Sequence, residues 1–239
     1  MAKTLVEAAL VAVGGTRGGE VVPRWFGMLP RMGVQQAFLF WAMPNGPEAL
    51  EQLDRLRTDS DLWISELRAL GIHGELLIKR GRPAPWITAL AGICGAQLVV
   101  CGPPSQRGGS SETIADLLGT LQQPLLLLPD GNGSTERDLL ARPLVDPEGT
   151  PEARELVEEW TRGAVEPRLL PELRGTPDRA ARQAIRHAVE VDATLVVLAG
   201  RARALVPHLI RYVGVPLLAV PAQPKPVRRP AVFPHNPPL

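Results

Sequence analysis

The chain has 239 residues, of which 45% are hydrophobic and 21% charged, and its formal net charge is +1 at pH 7. The length suits two domains of roughly 100 residues each, and the composition is that of a globular protein. The small net charge and the lack of an apolar run near the ~20 residues of a membrane span predict no nucleic-acid partner and no membrane insertion. The two cysteines, Cys94 and Cys101, exclude a disulfide framework, predict two buried core residues and favour a reducing, cytoplasmic location.

The first half of the chain alternates apolar strand patterns with helix patterns. Residues 9–13 predict a buried strand that runs into a glycine-rich loop, and the next segment must be short, kinked or partly irregular because it carries Pro23 and Pro30. The elements predicted after it are a strand over residues 36–43, a helix over 47–70, a strand over 75–79, a helix and a strand within 81–102, a helix from 110 to about 121 and a strand over 125–128.

Residues 81–102 recur in altered form at residues 175–200. Both stretches open with Gly-x-Pro, continue as an alanine-rich amphipathic helix, and end with a Leu-Val-Val strand and a glycine. The proline-bounded apolar strand of residues 124–129 recurs at residues 216–221. An internal repeat of this kind predicts two divergent copies of one α/β domain.

The domain boundary is predicted at residues 130–136, which are rich in turn formers and free of apolar residues. The domains are therefore residues 1–130 and 137–222, followed by a proline-rich tail over 223–239 that is either a disordered end or an arm on the sheet or on a neighbouring subunit. In the second domain a strand over 139–145 and a helix over 151–160 are followed by only residues 164–174 before the second Gly-x-Pro. This copy is therefore truncated, with four strands instead of five.

This order of elements resembles a universal stress protein domain, and the whole chain resembles a tandem universal stress protein over nearly all of residues 5–222. Residues 81–102 with 124–129, and 175–200 with 216–221, carry the resemblance most specifically. It implies an α/β fold of two tandem, doubly wound parallel-sheet domains, similar to the adenine nucleotide alpha-hydrolases, the second domain being truncated. It also implies that the two domains pair through their last strands, which in a tandem protein can occur within one chain.

The resemblance also implies which residues a nucleotide site requires. Family members that bind ATP share an aspartate after the first strand and a loop GxxGx9G(S/T) after the fourth, because glycines let backbone amides approach phosphates. In the first domain Gly14 stands at the aspartate position, whereas Asp146 stands there in the second. Asp146 precedes Pro147, so it also suits an ordinary turn start.

The phosphate loop is altered in both copies. In the first copy, Gly109 and the pair Gly119-Thr120 have the x9 spacing, but that alignment would interrupt the predicted helix. The preferred alignment takes Gly109-Ser110 as the family's Gly-Ser pair and shortens the loop. In the second copy the strand ends in Gly200-Arg-Ala-Arg, which favours a single phosphate or solvated arginines over a cradled triphosphate.

The candidate nucleotide or anion ligands come from both copies, although an ordinary tight turn is the more common role of the glycine-rich ones. They are Gly14, Gly15, Thr16, Ala42, Met43, Gly102, Gly109, Ser110 and Asp146. No catalytic or metal-ligating residue is predicted, because the four histidines are scattered and no GxSxG, HExxH, CxxC or GxxxxGK(S/T) motif is present.

Three functions remain open at this stage. The first is a non-enzymatic stress-response or regulatory binding protein with degenerate nucleotide sites, acting through protein contacts, including its own pairing or a homodimer, or through a residual anion or nucleotide site. The second is an ATP-binding, slowly hydrolysing switch with one working site in the first domain, whose cofactor is ATP or another adenine nucleotide. The third is an accessory subunit that docks on a protein partner through the tail.

Overall fold

The computed structural model describes residues 6–13, 22–43, 45–46, 48–102, 110–129, 138–147, 151–210 and 214–221. The strands are β1 Ala8–Ala12, β2 Gln36–Met43, β3 His73–Arg80, β4 Leu98–Cys101, β5 Leu125–Leu127, β6 Pro143–Val145, β7 Arg168–Leu169, β8 Leu195–Ala199 and β9 Leu217–Val220. The α-helices are α1 Glu48–Ala69, α2 Pro83–Ile93, α3 Ser110–Thr120, α4 Pro151–Thr161, α5 Pro177–Glu190 and α6 Val206–Leu209.

Among the described residues, nine strands form one sheet in the order β3-β2-β1-β4-β5-β9-β8-β6-β7. Neighbouring strands are parallel except at the centre, where β5 and β9 pair antiparallel with Leu126 opposite Leu218. The last strands of the two copies therefore pair within one chain. We call β1 to β5 with their helices the first half, and β6 to β9 with theirs the second half. The predicted α/β class with a mainly parallel, doubly wound sheet is confirmed.

The Gly-x-Pro motif builds the same turn in both halves. Gly81 and Gly175 have φ angles of +105° and +99°, a backbone region that favours glycine. Pro83 and Pro177 are the first residues of α2 and α5, where the fixed φ of proline suits a helix start and its missing N–H is not needed. The sequence repeat is thus a repeat of local structure.

The segment around Pro23 and Pro30 forms two short 3₁₀ helices, Pro23–Met28 and Pro30–Met32, as the prolines lead one to expect. Each begins at its proline, and the second ends at Gly33 with φ +90°. They bury Phe26 and Met32 against the sheet.

Two apolar cores cover the two faces of the sheet, and each core runs through both halves. The first face carries α1, α4 and the 3₁₀ helices Pro23–Met28 and Pro30–Met32, and the second face carries α2, α3, α5 and α6. Alternation along the strands supplies both cores: Val11 faces the first core and Leu10 the second.

The second half has four described strands, in agreement with its predicted truncation. Its first strand is shorter than expected, because the N–H of Ala141 closes a turn on the carbonyl of Asp138 at 3.0 Å and pairing starts only at Pro143. The boundary at 130–136 and the tail at 223–239 lie outside the described residues, and the domain limits stay predictions.

Candidate functional site

The first candidate site lies between β1 and β4, where the strand order reverses: β2 and β3 lie on one side of β1, and β4 and β5 lie on the other. β1 pairs with β2 on one side and with β4 on the other, and ligands of open α/β sheets bind at the carboxyl ends of strands at such a point. Ala42 and Met43 end β2, and Gly102 follows β4 at the same edge. Met43 is buried, whereas Ala42 and Gly102 are half-buried and offer backbone and a small apolar surface.

Helix α3 begins at Ser110, so its amino end follows the segment that leads away from Gly102. Gly119 and Thr120 lie in the last turn of α3, which rules out the alignment that would use them as a phosphate loop. Gly14, Gly15, Thr16 and Gly109 lie outside the described residues, and their part in a site stays a prediction.

The second candidate site lies at the corresponding point of the second half, where β6 pairs with both β7 and β8. Asp146 directly follows β6, and its N–H donates to the carbonyl of Val197 at 3.0 Å. Its relative exposure is only 6%, which leaves a ligand little of its surface. The aspartate therefore stands at the predicted place but is packed into the fold.

A 3₁₀ helix, Gly200–Leu205, follows β8 immediately and leads straight into α6. Gly200, whose φ is +54°, lets the chain turn from β8 directly into this helix. The chain thus turns from strand to helix without an intervening glycine-rich loop, at the place where an anion-binding loop would have to lie.

Arg203 of this 3₁₀ helix points across to the first half. Its Nη2 donates to the carbonyl of Leu121, just beyond α3, at 3.4 Å. Burial lowers the pKa of its guanidinium, because the charged form loses hydration there. The sequence left open whether Arg201 and Arg203 hold a single phosphate or are simply solvated. The described contact of Arg203 is instead with a main-chain carbonyl.

In each half, a side-chain contact joins the start of the Gly-x-Pro helix to the next helix. Arg82, just before α2, lies 3.1 Å from Asp116 of α3, and Asp178 of α5 lies 2.9 Å from Nδ1 of His208 in α6. The carboxylate lies on the next helix in the first half and on the Gly-x-Pro helix itself in the second half. The repeated motif predicts where these helices start. It does not predict the residues that contact those starts, because these lie about 30 residues further along the chain.

Both cysteines are buried and free, as predicted. Burial raises the pKa of Cys101 to about 12, and burial together with the negative charge of Glu75 raises that of Cys94 to about 11. Cys101 ends β4 beside Gly102, yet its thiol stays protonated at neutral pH and is no nucleophile for chemistry at this edge.

The described residues contain no group of three or more His, Cys, Asp or Glu side chains able to hold a metal ion. A cavity of about 300 Å³ lies at the amino end of β3, lined by Ile64, Arg68, Gly71, Ile72, His73 and Gly74. In the described part, no helix is both long and apolar enough to cross a membrane.

Solved structures with the same arrangement are universal stress proteins. One from Archaeoglobus fulgidus DSM 4304 aligns with a TM-score of 0.67 at 15% identity, covering 90% of this chain and 96% of that one. A putative universal stress protein from Pseudomonas aeruginosa UCBPP-PA14 aligns with a TM-score of 0.59 at 12% identity, covering 90% and 93% of the two chains. No protein-family model matches the sequence, and a search of curated proteins finds no match.

This chain has the universal stress protein fold. A functionally unknown protein from Pseudomonas aeruginosa PAO1 shares it, with a TM-score of 0.59 at 12% identity over 90% of this chain and 92% of that one. At such identities the likeness concerns the fold, so the function has to be argued from the residues of this chain.

The second half differs most clearly from the nucleotide-site pattern that the family resemblance implies. That pattern has a glycine loop after the strand that corresponds to β8, and here the helical segment Gly200–Leu205 takes that position. The guanidinium of Arg203 donates a hydrogen bond to the main-chain carbonyl of Leu121. The first half keeps Gly102 at its edge but has Gly14 in place of the aspartate.

Proposed function

We propose that this protein is a non-enzymatic, cytoplasmic regulatory protein of the universal stress protein type, which acts through protein contacts. Its nucleotide sites are degenerate, and at most a small anion or nucleotide binds at the edge of the first half. The tandem arrangement supplies both domains of the family's dimer in one chain, since the last strands β5 and β9 pair with each other.

The observation that carries the proposal is the helical segment Gly200–Leu205. A triphosphate is held by several consecutive N–H groups that converge from a glycine loop, and a 3₁₀ helix turns most of its N–H groups to its own carbonyls. The N–H of Val206, for example, already bonds to the carbonyl of Arg203. The second half therefore lacks the backbone shape that the family uses for phosphate.

An ATP-binding switch in the first half is the second candidate. It is favoured by the position of Gly102 and Ala42 at a switch point of the sheet, and by α3 starting at Ser110, whose amino end would attract an anion. It is disfavoured by Gly14, which offers no carboxylate to a ribose. Docking through the tail stays a prediction, since the tail lies outside the described residues.

The two candidates differ in what the purified protein carries. The protein is denatured in acid, and the supernatant is analysed for adenine nucleotides by mass spectrometry. We expect no nucleotide approaching one mole per mole of chain. A stoichiometric adenine nucleotide would refute the degenerate-site proposal and support the switch.

If nucleotide is found, one substitution tests whether it binds in the first half. Gly102→Glu sets a carboxylate at the edge of the first half, where it repels phosphates, whereas Gly214→Glu makes the same change at an exposed glycine whose surroundings are open. Loss of the nucleotide with Gly102→Glu alone would assign the site to the first half.

A further inference from the structure

The solvent-facing side of α2 is apolar along its whole length. Its exposed residues follow one helical face, and we call them the α2 stripe: Pro85, Trp86, Ala89, Gly92 and Ile93. The relative exposures of Trp86 and Ile93 are 36% and 56%. An apolar, uncharged stripe on the outside of a helix is unusual, since surface helices of globular proteins carry polar residues there.

The fold does not require this stripe, because the matching helix of the second half lacks it. Counted from the glycine of each Gly-x-Pro motif, Pro85 and Gly92 correspond to Arg179 and Arg186 in α5, and both arginines are exposed. Ala89 and Ile93 correspond to Gln183 and His187. The same helix in the same sheet position therefore has a polar surface in one half and an apolar surface in the other.

Strand β3 borders the stripe and carries opposite charges at its two ends. Leu77 packs against the core on the α2 side of the sheet, so Glu75 and Lys79, two residues to either side, face the same way. Nζ of Lys79 lies 5.5 Å from the ring centroid of Trp86 near the start of α2. Glu75 lies near Cys94 at the end of α2, where its charge acts on the thiol.

We propose that the α2 stripe, with Glu75 and Lys79, is the contact surface between two copies of this chain related by a two-fold axis. A two-fold axis across the stripe sets α2 antiparallel to its mate, so that Trp86 meets Ile93 and Lys79 faces Glu75 of the second copy. Ala89 near the centre of the contact and Gly92 beside Ile93, where an added Cβ would meet open space, are small enough to let the helices approach closely.

Charge complementarity selects a second copy as the occupant. Positive and negative charges lie at opposite ends of one apolar stripe, which makes the surface complementary to itself under a two-fold rotation. The last strand of the first half offers no edge to a second copy, since β5 already pairs with β4 and β9 in the same chain. Among the described strands β3 ends the sheet next to the stripe, so a second copy can approach it from the side.

The test measures the mass of the full chain by sedimentation velocity over a range of concentrations. We expect a concentration-dependent dimer of twice the chain mass of 25.8 kDa. Ile93→Glu should weaken dimerisation at least tenfold, because it buries a charge in the contact. Leu62→Glu is the matched control, since Leu62 is 65% exposed on α1, on the other face of the sheet.

Gly92→Arg tests the same contact without a risk to folding. Arginine has a higher helix propensity than glycine, and the site is open, so the monomer should fold at least as well while the dimer is blocked. Circular dichroism confirms the fold of each variant.

A charge exchange tests the two-fold arrangement itself. Glu75→Lys and Lys79→Glu should each weaken the dimer by placing like charges opposite each other, and the double exchange should restore it. A wild type that stays monomeric at every concentration, or a dimer that Ile93→Glu and Gly92→Arg leave unchanged, would overturn the proposal. So would additive weakening in the double exchange, which would assign the stripe to another occupant or geometry.

Discussion

At the residue scale, Cys101 is the fully buried thiol of the described part of the chain, and burial strongly suppresses its ionisation. Its pKa is raised from 9.0 to about 12 by burial alone, while an unfolded chain exposes the thiol and lets it ionise. The neutral thiol is thus favoured by the fold. This contribution to stability is complete below about pH 9 and is lost as the pH rises through the folded-state pKa.

The resulting pH dependence is a prediction for the free energy of unfolding. Between pH 9 and 12 the wild type should lose up to about 4 kcal/mol on account of Cys101, at roughly 1.4 kcal/mol per unit of pKa difference. Urea unfolding at pH 8 and pH 11 measures the loss, and Cys101→Ala subtracts the effects of all other groups. An equal loss in wild type and Cys101→Ala would contradict the prediction.

Arg203 gives a second prediction at this scale. Its Nε is buried without a described hydrogen-bond partner, and its Nη2 makes only the long bond to the Leu121 carbonyl. Arg203→Met keeps the aliphatic stem and removes a partly desolvated charge, so the free energy of unfolding should stay equal or rise by about 1 kcal/mol. Arg203→Ala should lower it. A clear loss of stability in Arg203→Met would show that the bond to Leu121 outweighs the desolvation cost.

At the element scale, the sequence predicts most helices and strands closely, because their signals are local. The strand Gln36–Met43 and the helix starting at Ser110 are examples. The predicted start of the first strand in the second half was wrong by several residues. The turn between Asp138 and Ala141 contains apolar residues, and these have the sequence pattern of a strand. The hydrogen bond from Arg203 to the Leu121 carbonyl joins elements far apart in sequence, so no local pattern predicts it.

The amino ends of α2 and α5 show how a repeated turn differs in detail. Thr176 caps α5 by accepting the N–H of Arg179 at 3.4 Å, whereas Arg82, at the same position before α2, makes no side-chain cap. Thr176→Ala should therefore lower the free energy of unfolding by about 0.5–1 kcal/mol, and Thr176→Asp should preserve it. Thermal unfolding of the three proteins measures this, and an unchanged Thr176→Ala would mean that the long bond contributes nothing.

At the scale of the whole molecule, the central pair β5 and β9 joins the two halves into one sheet with shared cores. Leu126 and Leu218 face each other across this pair, and both are fully buried. The two halves should consequently unfold together, although the sequence reads as two domains.

This cooperativity is tested by calorimetry. Leu218→Ala should cost about 2–5 kcal/mol, as other buried leucine truncations do, and both wild type and variant should show a single thermal transition. Leu62→Ala, at an exposed position on α1, is the control and should change the transition little. Two separated transitions, of which Leu218→Ala shifts only one, would contradict a shared core.

The central claim is the proposal that this chain has the universal stress protein fold but no working triphosphate site. Calorimetric titration of the purified chain with ATP and Mg²⁺ tests it most directly. We predict no saturable binding below about 1 mM, which corresponds to a binding free energy weaker than about −4 kcal/mol. Saturable binding of one ATP per chain at micromolar concentration would contradict the claim and identify the protein as a nucleotide switch.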